Sequence, residues 1–352
     1  MQAYAFTVHA TRALIKSVQA VFRRVHAYFD FCISFLRDPH QVVSSWPETG
    51  EILLGPRVAI FIHFDRAGAL GPHTLHYVRA LHEAGCSVVF VTNSGQLQPQ
   101  AMAALQPFCA GVLVRRNVGY DFGAMREGID ALNLPRANTE SLLLANDSLY
   151  GPLGSLGPVI GRMDFTQADV WGATDSWQGR YHIQSYFVAV SRRVLESTTW
   201  TNFWRAVRPV KSKIWVVLKY EIGLSQALVR GGFGVAALWR YEDLIDKVNP
   251  DFLVSPSKDQ ASVEEPMLLM RRIQAHRIRH NVAVRTPLNP TSDLWRQLLQ
   301  ARFPFLKREL LRDNPSEVSD IADWRDEVRA AFGNVPEAIE QDLRKVMRNK
   351  VP

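Results

Sequence analysis

Asp147 stands at the end of the apolar run Leu142-Leu143-Leu144-Ala145, flanked by Asn146 and Ser148. About 25 residues before that run, Asn117-Val118-Gly119-Tyr120-Asp121-Phe122-Gly123 opens an amphipathic segment. The pattern reads as a polar, glycine-containing loop entering a helix, then a buried strand ending in a carboxylate. At the carboxyl edge of a parallel sheet, a nucleotide-sugar site can be assembled in this way. Such a donor requires a pocket for its base, positive charge at its diphosphate, and a base for the acceptor hydroxyl. Asn117 and Gly119 are expected to form the turn whose backbone approaches the nucleotide. Asp121 could accept hydrogen bonds from ribose or base, or simply cap a helix over 122–132. Arg115, Arg116 and Arg126 surround it with positive charge, which favours the functional reading. Arg126 could face the diphosphate or merely pair with Asp130 at i,i+4. At Asn146-Asp147-Ser148, one carboxylate with Asn and Ser oxygens could hold Mg2+ or Mn2+ alongside donor phosphates. The alternative there is an Asx-turn at the strand end.

His63 and Asp65 end an earlier apolar run, where they could hold the base or ribose, unless Asp65 only caps the next helix. Asn93 and Ser94 end the following run with the same two readings. Residues 181–191 alternate, so His182, Gln184 and Tyr186 share one face. His182 and Gln184 could orient sugar hydroxyls. Trp171, Trp177 and Tyr181 suit the apolar face of a pyranose, although aromatic residues equally serve as core. Glu221 begins a segment anchored by Ile222, Leu224, Leu228 and Val229, and is the candidate general base. Inverting transfer needs one ionised carboxylate near the acceptor hydroxyl, opposite the leaving nucleotide. A first-turn glutamate stabilising the helix dipole is the structural alternative. Lys211, Lys213 and Lys219 could balance phosphate charge or form a solvated face.

Strands and helices must place these groups. Val58-Ala59-Ile60-Phe61-Ile62 and Ser87-Val88-Val89-Phe90-Val91 read as buried strands, with a helix between them capped by Gly85. A helix over 98–107 and a strand over 111–114 follow. Strands alternating with helices argue for a parallel α/β sheet. After Pro152 the strands become mixed, at 169–172 and 181–191, and from Asn289 the chain reads as helical. The expected division is an N-terminal helical arm over 1–47, a catalytic α/β domain over 55–288 and a C-terminal helical extension over 289–352. In the arm, Leu14, Ile15, Val18, Val21, Phe22, Val25, Phe29, Cys32 and Leu36 recur at spacings of three and four. Arg12, Lys16, Gln19, Arg23, His26, Asp30 and Arg37 line the other face. The stripe is expected to pack on the catalytic domain, with a membrane interface as the alternative.

The chain has 352 residues, 47% of them hydrophobic, and a net charge of +7. That balance suits anionic partners, whether nucleotide diphosphates or anionic lipid. Nucleic acid is not expected, because no zinc-finger, RNA-recognition or helix-turn-helix signature is present. Cys32, Cys86 and Cys109 are odd in number and widely spaced, which favours a reducing cytosol over a disulfide framework. With no membrane-spanning run and no cleavable-signal layout, the expected location is cytoplasmic, either soluble or peripheral on the inner face of the plasma membrane.

Six ordered blocks resemble the rhamnan synthesis protein F family of bacterial polysaccharide glycosyltransferases: NVGYDFGAMREGI (117–129), LLLANDSLYGPL (142–153), WGATDS (171–176), YHIQSYFVAVS (181–191), YEIGLSQALVRGGF (220–233) and NPTSDLWRQLLQARFPFLKRELLRDNP (289–315). The resemblance implies a GT-A-like fold and transfer of a sugar, often rhamnose, from a nucleotide donor such as dTDP-rhamnose to a growing surface glycan. A looser similarity to large inverting GT-A transferases implies Asn117 and Gly119 for the donor loop, Asp147 for the acidic motif and its metal, and Glu221 for the helix that ends at Gly231 or Gly232. Tyr120 departs from members with a basic residue there. Two other classes stay open: a glycan-binding or assembly subunit keeping the fold without catalysis, and a phospho-polyol transferase.

Overall fold

The computed structural model describes residues 18–348 except 20, 50 and 249–265. Its centre is a sheet formed by β1 (Val42–Trp46), β2 (Arg57–His63), β3 (Ser87–Thr92), β4 (Cys109–Arg115), β5 (Ser141–Asn146), β7 (Val170–Ser176), β9 (Phe187–Ser191) and β10 (Val235–Trp239). Strand order is β1-β4-β3-β2-β5-β9-β7-β10. β2 to β5 are mutually parallel, β9 runs antiparallel between β5 and β7, and β10 is parallel to β7. The α/β class is therefore present, with a parallel half followed by a mixed half, the layout that a GT-A-like domain implies.

Alternation along the buried strands divides the core between the two faces of the sheet. Ala59, Phe61, Val88 and Phe90 pack with Tyr77, Val78 and Leu81 of the helix Pro72–Glu83. Val58, Ile60, Ile62, Val89 and Val91 pack with Phe122, Met125 and Ile129 of the helix Tyr120–Ala131. Gly85, at φ 80°, closes the first of these helices, as its position predicts.

Three elements differ from expectation. Residues 42–46, expected within the helical arm and the linker after it, form the edge strand β1, antiparallel to β4. The run 181–191 is divided into β8 (His182–Ile183) and β9. Ser176 pairs with His182 and Gly172 with Val188, so two extra residues bulge out of the second strand. The C-terminal region is not purely helical, since β11 (Leu306–Lys307) pairs with β6 (Leu149–Tyr150) just after Asp147. Trp295, Leu299, Leu310, Trp324, Ile339 and Leu343 close a third core over Tyr150 and Leu153. The C-terminal region thus packs as one body with the sheet.

The N-terminal helix contradicts the expected packing of its stripe. Over residues 21–34 it turns Ala27, Asp30 and Ser34 inward and the apolar stripe outward. Asp30, assigned from sequence to the solvent side, accepts from the Lys211 and Ser212 amides at 2.7 and 2.9 Å and pairs with Arg37 at 2.6 Å. Phe31 stacks on Trp215 at 4.2 Å. Leu14 and Ile15 lie outside the described residues.

Candidate functional site

The parallel strands end along one edge, so His63, Thr92, Arg115 and Asn146 emerge together. The loop between β4 and the next helix is fixed from below. Arg115, buried at 1% exposure, donates to Glu127, Asn93 Oδ1 and, at 2.7 Å, the Val118 carbonyl. Gly119 is the N-cap of that helix at φ 87° and donates to the Val210 carbonyl at 2.9 Å. A Cβ at Gly119 would lie 3.0 Å from Gly123 Cα, so the close turn requires glycine. Asn117 is exposed on this loop.

Asp121 follows in the first turn and accepts from Asn146 Nδ2 at 2.9 Å. Burial, and then the charge of Asp147, raise its carboxyl to about 6, against the opposing Asn146 bond. Asn146 Oδ1 accepts from the amide and hydroxyl of Ser148. This is the Asx-turn allowed by sequence, and it leaves the adjacent Asp147 at the edge. The carboxylate of Asp147 meets Arg308 Nη1 at 3.1 Å, and the same guanidinium donates to the Asp147 carbonyl at 2.8 Å. His63 is buried and bonded through Nδ1 to Thr92 Oγ1 at 3.1 Å; burial holds its imidazole below the ordinary value despite Asp147 and Asp65. Asp65 caps its own turn, accepting from the amides of Ala67 and Ala69 at 2.8 and 3.0 Å. Asn93 is buried and bonded to Arg115 and the Tyr120 carbonyl.

A cavity of about 690 Å3 opens over this edge, lined by His63, Asp65 and Asp147 and by Lys213, Lys307 and Arg308. Burial draws the Lys307 ammonium below the usual lysine range, with Glu309 opposing and Lys213 adding to the fall. The cavity can therefore take an anionic group while the strand ends hold its polar neighbours. Lys307 and Arg308 were missed from sequence as site residues, although they stand in the FLKREL portion of the last resembling block. Their adjacent charges, directly after Phe303-Pro304-Phe305-Leu306, were the available signal.

Glu221 lies across from the acidic strand end. It ends a π-helical turn over Val216–Glu221, immediately before the helix Ile222–Arg230. Glu221 Oε1 accepts from the Ser185 amide and hydroxyl at 3.0 and 2.9 Å, which holds the bulge between β8 and β9. Glu221 does not itself line the cavity, but it lies close enough for its charge to bear on Asp121 and Lys307. His182 and Gln184 lie beside it but are buried, bonded to the Arg180 carbonyl and to Thr174. Trp177 is exposed with its ring 5.2 Å from Tyr181.

Two expected residues lie elsewhere. Trp171 sits at the amino end of β7, packed on the core with its indole donating to the Asp164 carbonyl at 3.0 Å. Arg126 faces away from the cavity and donates to the carbonyls of Val207, at 3.0 Å, and Pro39. At 100° per residue, the helix turns that position from the cavity toward the incoming chain. Among the described residues, no three His, Cys, Asp or Glu side chains group as a metal cage. With Asp147 paired to Arg308 and Asn146 bonded to Ser148 and Asp121, these residues do not fit a metal held by protein ligands alone.

A family described as rhamnan synthesis protein F matches residues 88–286, more than half of the chain. The uncharacterized protein y4gN of Sinorhizobium fredii is 29% identical over 192 residues, which cover 53% of this chain and 50% of that one. The match thus spans about half the length of that relative. Virulence protein VirA of Vibrio anguillarum is 29% identical over 240 residues, 64% of this chain and 73% of its own. Among solved structures, the mannosyltransferase PcManGT from Pyrobaculum calidifontis, in complex with GDP-Man and Mn2+, is 11% identical with a TM-score of 0.33, covering 95% of this chain and 90% of that one. At that TM-score the likeness carries no argument about this site.

Proposed function

The chain belongs to the rhamnan synthesis protein F family, and on that premise we propose that it is a glycosyltransferase moving a sugar from a nucleotide-diphosphate donor to a bacterial surface polysaccharide or its lipid-linked precursor. Rhamnose, carried as dTDP-rhamnose, is the sugar that the resemblance favours. The observation that carries the reading is the cavity at the carboxyl edge of the sheet, which gathers Asp147 and His63 with Lys213, Lys307 and Arg308.

In the proposed reaction, the diphosphate lies against the three cations, and the sugar points toward Glu221. The acceptor oxygen attacks the anomeric carbon from the side opposite the diphosphate. Its proton passes to Glu221 as the bond from that carbon to the diphosphate oxygen breaks, and the nucleoside diphosphate leaves against Lys213, Lys307 and Arg308. The configuration is inverted. A divalent cation brought by the donor phosphates would be held at Asp147.

Purified protein incubated with nucleotide sugars and an acceptor tests this. Asp147→Ala should lose transfer while remaining folded. Glu221→Gln should keep donor binding and lose turnover, by about 100-fold or more for removal of a general base. Normal turnover by Glu221→Gln would make Glu221 a bulge-holding residue and place the base elsewhere. The Asp147–Arg308 pair favours one other reading, a glycan-assembly subunit in which that ion pair is structural. Such a protein would show neither transfer nor donor hydrolysis.

A further inference from the structure

The N-terminal helix is held by its polar side. Asp30 and Arg37 anchor it to the segment around Pro209, Lys211 and Ser212, whereas Val21, Phe22, Val25, Phe29 and Leu36 form a stripe on the opposite side. That stripe is exposed, Phe22 at 71% and Leu36 at 88%. Single exposed apolar residues need no explanation, but a contiguous stripe marks an interaction surface. Beside it lies a cavity of about 800 Å3, between this helix, the π-helical turn and the helix Ile222–Arg230. Arg24, Arg180, Lys219 and Arg230 line it together with Trp215 and Leu218, and among the described lining residues there is no carboxylate. Val217 and Leu218, on the turn itself, are exposed as well. Protruding apolar side chains next to a cleft whose charged lining is basic are complementary to acyl chains beneath a layer of phosphate headgroups.

We propose that this face seats the protein on an anionic lipid surface, with the stripe at the acyl-chain boundary and the four cations on headgroup phosphates. Ile222 and Gly223 also line the cavity, directly after Glu221. Seating would therefore bring a lipid-borne acceptor to the candidate base, a consequence that rests on the transferase reading. The docking itself does not.

Co-sedimentation of the full chain with vesicles tests the docking without any sugar donor. One set contains phosphatidylcholine alone, the other phosphatidylcholine with phosphatidylglycerol. Binding to the phosphatidylglycerol vesicles that weakens with added salt is expected, with little binding to phosphatidylcholine. R24A/R230A should partition about thirtyfold more weakly into the anionic vesicles. F22D/F29D should lose binding, and both variants should melt like the parent because the changed side chains are exposed. Equal binding to both vesicle types, or undiminished binding by either variant, would overturn the proposal. So would a dimer that F22D/F29D dissociates while the parent ignores vesicles. Failure of sugar transfer with vesicle binding intact would count against the transferase reading alone.

Discussion

Arg308 joins the acidic strand end to the C-terminal region, since its guanidinium contacts Asp147 at 3.1 Å and lies 3.7 Å from Asp342. Hydrogen bonds to charged groups contribute about 1.5–3 kcal/mol, so Arg308→Ala is expected to weaken nucleotide-diphosphate binding about ten- to hundredfold. Isothermal titration calorimetry measures this, and unchanged affinity would remove Arg308 from the donor site. Asp121 gives a prediction with a pH sign. Its carboxyl, held near 6 by burial and by Asp147, is above its ordinary 3.8. The contribution of this group to stability is fully present below the unfolded value and lost as pH rises through about 6. Asp121→Asn should therefore gain stability over the parent at about pH 8 and little at about pH 4, read from urea unfolding at the two values. Equal differences at both would show that the carboxyl titrates normally.

Gly119 belongs to the scale of elements, because it decides how a strand enters a helix. Its left-handed backbone and its 3.0 Å approach to Gly123 leave no room for a side chain. Gly119→Ala is expected to cost at least about 1–2 kcal/mol from the backbone alone, measured as a shift of the denaturation midpoint. A neutral result would mean that the loop relaxes freely. The loop is also tied to its surroundings, because Arg115 links it to Asn93 and Glu127. Two irregularities meet on the other side of the cleft: the π-helical turn ending at Glu221 and the bulge before β9. Each re-aims a short stretch of backbone, and they meet at the bonds from Ser185 to Glu221.

On the scale of the whole molecule, the C-terminal region is fastened by Arg296. It bonds to Asp320 at 2.8 Å, Asp323 at 2.6 Å and Glu327, all beneath the third core. Removing one member of a buried ionic cluster leaves its partners uncompensated, typically at about 3–5 kcal/mol. Arg296→Leu should destabilise by that order in chemical denaturation. Because β11 and Arg308 belong to the same region, donor affinity should fall with it. A stability loss with affinity preserved would separate the C-terminal core from the site.

The alternation of strands and helices from Val58 to Asp147 was legible because periods of 2 and 3.6 are local properties of the chain. The same holds for the Asn146-Asp147-Ser148 turn and for the glycine at 119, whose roles depend on neighbours a few residues away. Trp171 and Arg126 were misplaced because sequence gives a residue's element more readily than the end or face it occupies. The partner of Asp147 was not legible, since Arg308 lies 161 positions away and arrives only through the pairing of β11 with β6. The N-terminal helix shows the division most plainly. Its sequence determined an apolar stripe and a polar face. Tertiary structure decided which face turns inward, because Asp30 finds two backbone amides and an arginine there and the stripe finds no comparable seat.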